Sequence, residues 1–293
     1  MNLKKKKMGK KHYFYLEHSL RDKGKVVKKE QYIGSTLPDN LDELKNNFMY
    51  ALMKEKYFDC FDKIKQNFSA EIKSMSPSAK EKYLNYFLIK FTYDTNRIEG
   101  STITLKETAK ILEQGITPQN KPINDIKETE AHKLVFNDMV HFKKDLSLQI
   151  IFQWHRMLLE KTKPDIAGKV RRIQIKVAGS KTEFPLAAEL DVLLQEFIAW
   201  YNSNKNKLHP LELASMAHLK FVSIHPFVDG NGRISRLLMN FVLHKLGYPM
   251  LNIKYTHRDS YYNALERAQT THLDKILVLH IFRRYLKEYK KYL

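Results

Sequence analysis

The stretch His225-Pro226-Phe227-Val228-Asp229-Gly230-Asn231-Gly232-Arg233-Ile234-Ser235-Arg236 constrains the fold more than any other part of the chain. It separates two helical patterns. Upstream, residues 210 to 224 read as a helix; downstream, Ile234, Leu237, Leu238, Phe241 and Val242 recur at spacings of three and four until Gly247 and Pro249 end the pattern. A loop therefore feeds a helix N-terminus. Two glycines bracketing Asn231 let the backbone approach a ligand closely, and unpaired N–H groups at a helix start attract phosphate. The loop is suited to an anion.

The side chains around such an anion have separable roles. Asp229 can ligate a hard cation such as Mg²⁺, while Arg233 and Arg236, three apart on the first helical turn, can grip phosphate oxygens. His225 stands where an imidazole could take a proton from an attacking hydroxyl, which a second molecule would supply. Taken singly, each also has an ordinary structural reading: a helix-terminal histidine, an Asp-Gly turn, an arginine pair on a solvated face.

Together these residues resemble the Fic family, whose signature is His-x-Phe-x-(Asp/Glu)-Gly-Asn-Gly-Arg-x-x-Arg. All eight specified positions are filled, which chance achieves on the order of once in 10¹⁰ windows. The likeness extends over about residues 76 to 270, through His209-Pro210-Leu211 with Ala214, His218 and Phe221, and through Arg258, Tyr261-Tyr262 and Leu265. It implies a mainly α fold, a Fic-type helical bundle with a β-hairpin flap, to which the residues of the N-terminus themselves add a β-hairpin. It further implies transfer of AMP from Mg²⁺-ATP (or Mn²⁺-ATP) to a Ser, Thr or Tyr hydroxyl of a protein target. By the same resemblance His225 is the base and Asp229 the metal ligand. Gly230, Asn231 and Gly232 form the anion hole, Arg233 and Arg236 hold the outer phosphates, and Tyr261 and Tyr262 lie near the adenine. Relatives that resemble the toxin Doc and transfer phosphate carry Lys at the position of Gly232, so glycine there favours AMP transfer.

A second likeness lies in Thr95-Asn96-Arg97-Ile98-Glu99-Gly100, which on its own reads as an unremarkable helix C-terminus. It is similar to the family's inhibitory helix, (Ser/Thr)-x-x-x-Glu-(Gly/Asn), and implies that Glu99 pairs with Arg236 and restrains the enzyme. Ile173, Ile175 and Val177 alternate with polar residues before Ala178-Gly179-Ser180, so a hairpin is predicted over 169–185. The resemblance makes it the flap on which a target segment lies as an added strand. Relatives of this class often pair as homodimers. An alternative enzymatic reading is removal of AMP from a modified protein, with Glu99 and His225 acting together.

The remainder of the chain sets the context. Hydrophobic types make up 43% and charged types 28%, as in ordinary globular proteins and too apolar for wholesale disorder. Cys60 is the single cysteine, which excludes an internal disulfide and a Cys-rich zinc site and fits a reducing, cytoplasmic setting. No run is long and apolar enough to span a bilayer, and no apolar segment follows Met1-Asn2-Leu3-Lys4 as in a signal peptide. The net charge is +19, and residues 1–30 hold eleven Lys/Arg against three acids. The lysine run is expected to be a solvated tail, with a nucleic-acid-binding regulator through Lys4 to Lys11 as a further alternative.

Aromatic and β-branched residues on either side of Asp22-Lys23-Gly24 predict a hairpin. Helices are predicted over 41–68, 77–99, 105–114, 124–143, 146–161, 189–202, 210–224 and 234–246, and from Asp259 to the C-terminus. Three regions are expected: 1–36, the basic tail and hairpin; 37–122, a helical region with the inhibitory helix; and 123–293, the catalytic domain.

Overall fold

Three strands open the chain. In the computed structural model, which describes residues 1–22, 25–176 and 179–293, β1 (Asn2–Met8), β2 (Lys11–Asp22) and β3 (Lys25–Gly34) form an antiparallel sheet in the order β1-β2-β3. The hairpin of β2 and β3 was predicted, although Lys23 and Gly24 of its turn lie outside the described residues. The lysine run is no solvated tail but the first strand itself, with Lys4 opposite Tyr15 and Lys6 opposite Tyr13. Gly9, at φ 63°, makes the left-handed turn that folds the run back. Glu17 then offsets the lysine repulsion, lying 3.2 Å from Lys4 and 2.6 Å from Lys28. On one face Leu16, Leu20 and Ile33 bury against Leu41, Leu44, Phe48 and Leu52 at the start of α1 (Leu41–Ser74).

The chain divides into two units, Met1–Phe58 and Asp59–Leu293. The second unit is helical. After α1 come α2 (Pro77–Ile98), α3 (Leu105–Gln114), α4 (Ile123–His141) and α5 (Leu148–Leu159). Then follow α6 (Leu190–Asn204), α7 (Pro210–Ile224), α8 (Asn231–Lys245), α9 (Arg258–Thr271) and α10 (Lys275–Glu288). Local signals fix several boundaries. Ser76 caps α2 ahead of Pro77. Thr104 and Glu107 close a reciprocal capping box on α3, which Gly115 ends at φ 67°.

The core lies where α7 and α8 meet their neighbours, with Trp154, Phe221, Phe227, Leu238, Phe241 and Phe282 each at most 1% exposed. Helix α8 is buried nearly all round, so its few polar side chains must find partners inside the protein.

Three expectations need correction. Helix α1 runs on to Ser74, since nothing breaks it before Ser76-Pro77. The single helix predicted from Asp259 is two, parted where His272 turns left-handed at φ 54° after the weak helix formers Thr270 and Thr271. The predicted flap hairpin shows no ladder among the described residues: 169–176 and 179–185 contain no strand, and no backbone hydrogen bond joins 172–176 to 179–184. Val177 lies outside the described residues. Arg171 supplies the physical reason, because its guanidinium takes the carbonyls of Ile173 and Pro185 and holds the two ends of the segment by side chain. A two-stranded ladder alone is marginal in water. No described helix is long and apolar enough to cross a membrane.

Candidate nucleotide site

Helix α7 ends on His225 in a left-handed conformation, φ 51° and ψ 56°, and the chain turns sharply into Pro226. Asn231 shapes the loop from within: its Oδ1 accepts from Phe227 N at 2.9 Å and its Nδ2 donates to Phe227 O at 2.8 Å. Its side chain therefore holds the loop, and only its backbone is left to meet a ligand. Gly230 sits at φ 80°, and a Cβ there would crowd the His155 ring at 3.3 Å. Helix α8 starts at Asn231, three residues before its apolar pattern begins, so the first N–H groups of Asn231, Gly232 and Arg233 have no acceptor within the helix. Such a terminus receives anions.

His155, on α5, braces this loop. Its Nδ1 accepts from Gly168 N at 2.9 Å, so the proton resides on Nε2, which donates to Asp229 O at 2.9 Å. The ring stacks on Phe227 with centroids 3.6 Å apart, and burial lowers its pKa to about 4.

The loop's charged groups fall into two sets. Asp229 meets Lys163 Nζ and lies 3.4 Å from Arg233 Nη2, while Arg233 also binds Glu128 of α4. Burial alone would raise the Asp229 pKa, but Arg233 and Lys163 outweigh it and hold the carboxyl below its ordinary value. Arg236 forms the other set. It is 1% exposed, donating from Nε to Thr95 Oγ1 at 2.7 Å and from Nη2 to Thr95 O at 3.2 Å and Glu99 Oε1 at 2.6 Å. Burial disfavours its charge, yet Glu99 prevails and the guanidinium stays protonated. Helix α2 places Glu99 by ending at Ile98, with the Glu99 N–H on Asn96 O and Gly100 turning left-handed at φ 100°. The carboxylate lies directly against Gly232, where any Cβ would overlap Glu99 Oε1 and stand 3.2 Å from Arg236 Nη1.

His225 faces the same space. Its Nδ1 lies 3.2 Å from the Val222 carbonyl, which requires the proton on Nδ1 and leaves the Nε2 lone pair available. Burial is the main reason its pKa falls to about 4, so the ring is neutral at pH 7. Phe184 covers it with ring centroids 4.0 Å apart, and Arg171 holds the His225 carbonyl at 2.9 Å.

A cavity of about 560 Å³ unites these groups. Of the residues predicted from sequence, Glu99, His225, Asp229, Gly230, Asn231, Gly232, Arg236, Tyr261 and Tyr262 line it. Tyr261 is buried with its hydroxyl 2.8 Å from His218 Nε2, whereas Tyr262 is half exposed and donates to Ile98 O at 3.3 Å. Arg233 is not among the lining residues, and Thr95 and Gly100 act from behind Glu99. Ile173 and Ile175 lie outside the cavity, on the segment that runs to Phe184. Sequence reasoning missed Glu128, His155, Lys163, Arg171 and Phe184.

A helical domain with an imidazole beside a glycine-lined helix N-terminus, and with buried arginines behind it, is a setting suited to an anion such as phosphate. Residues 145–243 match the Fic/DOC family, so the chain carries a domain of that family. It is 35% identical over 265 residues to the protein adenylyltransferase Fic of Drosophila mojavensis, covering 87% of this chain and 51% of that relative. The Drosophila melanogaster protein of the same name is also 35% identical over 265 residues, with 87% and 52% covered. The chain thus spans about half the length of these relatives. Among solved structures, a Fic domain containing signaling protein from Bacteroides thetaiotaomicron superposes with a TM-score of 0.70 at 27% identity, covering 78% of this chain and 95% of that one. Fic-1 from C. elegans shares the fold, with a TM-score of 0.72 at 24% identity over 83% and 72% of the two chains.

Proposed function

We propose that the protein transfers the AMP moiety of ATP to a Ser, Thr or Tyr hydroxyl of a protein target and that Glu99 restrains this transfer. His225 Nε2 accepts the proton of the attacking hydroxyl. The new bond joins that oxygen to the α-phosphorus, the bond to the bridging oxygen of the β-phosphate breaks, and pyrophosphate leaves. Backbone N–H groups at the start of α8 receive the charge on the α-phosphate. The names of the relatives support adenylyl transfer. The observation that carries the reading is the position of Glu99, whose carboxylate bonds the buried Arg236 and presses on Gly232, in the anion's own place.

A divalent cation, Mg²⁺ or Mn²⁺, fits this site. Asp229 offers one ionised hard oxygen, and no group of three or more His, Cys, Asp and Glu that could hold a metal exists among the described residues. Phosphate oxygens would complete its coordination, as is usual for Mg²⁺. When bound, the cation neutralises phosphate charge, and Lys163 must release the Asp229 carboxylate to admit it. The target would lie along residues 172–176, where Ile173 is 60% exposed and no ladder occupies the described backbone. A single cysteine and ATP as donor make the cytoplasm the compartment we propose.

The same placement of Glu99 favours a second reading, removal of AMP from a modified protein, because a carboxylate sharing the cavity with His225 can orient a water. Labelling a cell extract with α-labelled ATP tests the first reading. Glu99→Gly is expected to label more than unaltered protein and His225→Ala not at all; equal labelling by His225→Ala, or transfer of label from the γ position, refutes it. Release of AMP from a premodified target that vanishes in Glu99→Gly identifies the second.

A further inference from the structure

One face of the N-terminal sheet is buried on α1; the other carries chemistry that the nucleotide site does not use. The register sets Lys4, Tyr15 and Tyr32 in one row and Lys6 opposite Tyr13 in the next, so side-chain alternation puts all five on the outer face. The tyrosines form a cluster, with ring centroids of Tyr15 and Tyr32 5.3 Å apart and those of Tyr13 and Tyr32 6.1 Å apart. Lys6 Nζ lies 4.3 Å over the Tyr15 ring. Tyr32, on the edge strand β3, is 53% exposed, a large aromatic kept in water on the sheet face.

Charge on this face is polarised. Its acids, Glu17 and Glu30, share the row of Asn2 at one end, and lysines already engage both: Lys4 and Lys28 on Glu17, Lys6 on Glu30. At the other end the β1–β2 turn brings together Lys10 and Lys11, both exposed and neither ion-paired among the described residues. Unneutralised cations thus adjoin the row of Tyr13, while the carboxylates one row beyond Tyr15 and Tyr32 are already paired.

We propose that this face binds single-stranded nucleic acid, with unpaired bases stacking on Tyr13, Tyr15 and Tyr32 and phosphates held by Lys10 and Lys11. A ring platform needs base faces that a duplex keeps stacked away, and the flat face offers no helix for a groove. An acidic peptide would meet the lysines but leave the tyrosines without use. Strands about 4.8 Å apart give a platform wide enough for two or three nucleotides. The proposal stands independently of the nucleotide site.

The test is fluorescence anisotropy of a labelled twelve-residue oligo-dT with the full chain. Two phosphate contacts on a single strand predict an affinity that falls about 7-fold between 50 and 200 mM salt. Tyr32→Ala, at a half-exposed position, should weaken binding roughly 5- to 100-fold at fixed salt and leave the salt slope alone, while Tyr32→Phe retains binding. Lys10→Glu with Lys11→Glu should flatten the slope by about 1.4. Three results overturn the proposal: no binding at 50 mM salt, tighter binding to a twelve-base-pair duplex, or a Tyr32→Ala chain that binds as before while only the lysine changes matter. The last would reduce the face to general attraction for polyanions. Melting curves of each variant separate lost binding from lost folding.

Discussion

Replacing Glu99 by Gly removes a single contact whose worth can be worked from the geometry. Arg236 makes three hydrogen bonds at the cavity, and the two to Thr95 survive the change. The third, to Glu99 at 2.6 Å, is charge-assisted, a class worth about 1.5–3 kcal/mol. Since the Glu99 side chain is 29% exposed, solvent screening places the pair near the lower end of that range. About 1.5–2 kcal/mol corresponds to roughly 10- to 30-fold in the fraction of bound nucleotide that Arg236 can align. Initial rates of labelling from saturating α-labelled ATP should therefore rise by about that factor in Glu99→Gly. Without nucleotide the variant should melt earlier, because a buried guanidinium has lost its counter-ion, and a non-hydrolysable ATP analogue should restore more stability to it than to unaltered protein. Rates within twofold of each other, with equal stabilisation by the analogue, would refute the reasoning.

The remaining predictions draw on the same groups. Gly232→Ala should destabilise the protein by about 1–3 kcal/mol, since its Cβ meets Glu99 and Arg236, and denaturant midpoints should show much of that cost relieved in the Glu99→Gly background. Burial lowers His132 to about 3 and His155, His218 and His225 to about 4, from about 6.5 unfolded. Their contribution to stability is complete above pH 6.5 and declines as pH falls towards 4, by on the order of 3 kcal/mol each, so urea midpoints at pH 7, 5.5 and 4 should drop steeply. As a base, His225 should give kcat/KM an acid limb near pH 4 to 5 in place of 6.5, measurable in the Glu99→Gly protein. Lys163→Met should tighten Mn²⁺ binding to the complex with an ATP analogue by about 3- to 10-fold, read by paramagnetic resonance, because a partly exposed lysine no longer competes for Asp229.

The part of the site that could be read in the sequence is the part that is contiguous. His225 to Arg236 fill one loop and one helical turn, so spacing alone brought His225, Asp229, Gly230, Asn231, Gly232 and Arg236 to one cavity, while Arg233 turns to Glu128. The groups that brace them come from α4, α5 and the segments that follow α5. Lys163 sits in Lys161-Thr162-Lys163 and looks like a solvated run, yet the fold lays it on Asp229. His155 lies in an apolar helix with no mark of its bond to Asp229 O. Arg171 precedes the alternation of Ile173 and Ile175, and its contacts to the carbonyls of Ile173 and Pro185 stand where a ladder is predicted. At the N-terminus the lysines hid a strand, because like charges in sequence read as a tail until cross-strand glutamates offset them.

A crystal structure of Glu99→Gly with a non-hydrolysable ATP analogue and Mn²⁺ tests the central claim most directly. The account predicts the α-phosphate on the N–H groups of Asn231 and Gly232, the outer phosphates at Arg236, and His225 Nε2 turned towards the α-phosphorus. A triphosphate bound elsewhere, one reversed so that the γ-phosphate lies on those N–H groups, or a His225 ring turned away from it would contradict the account.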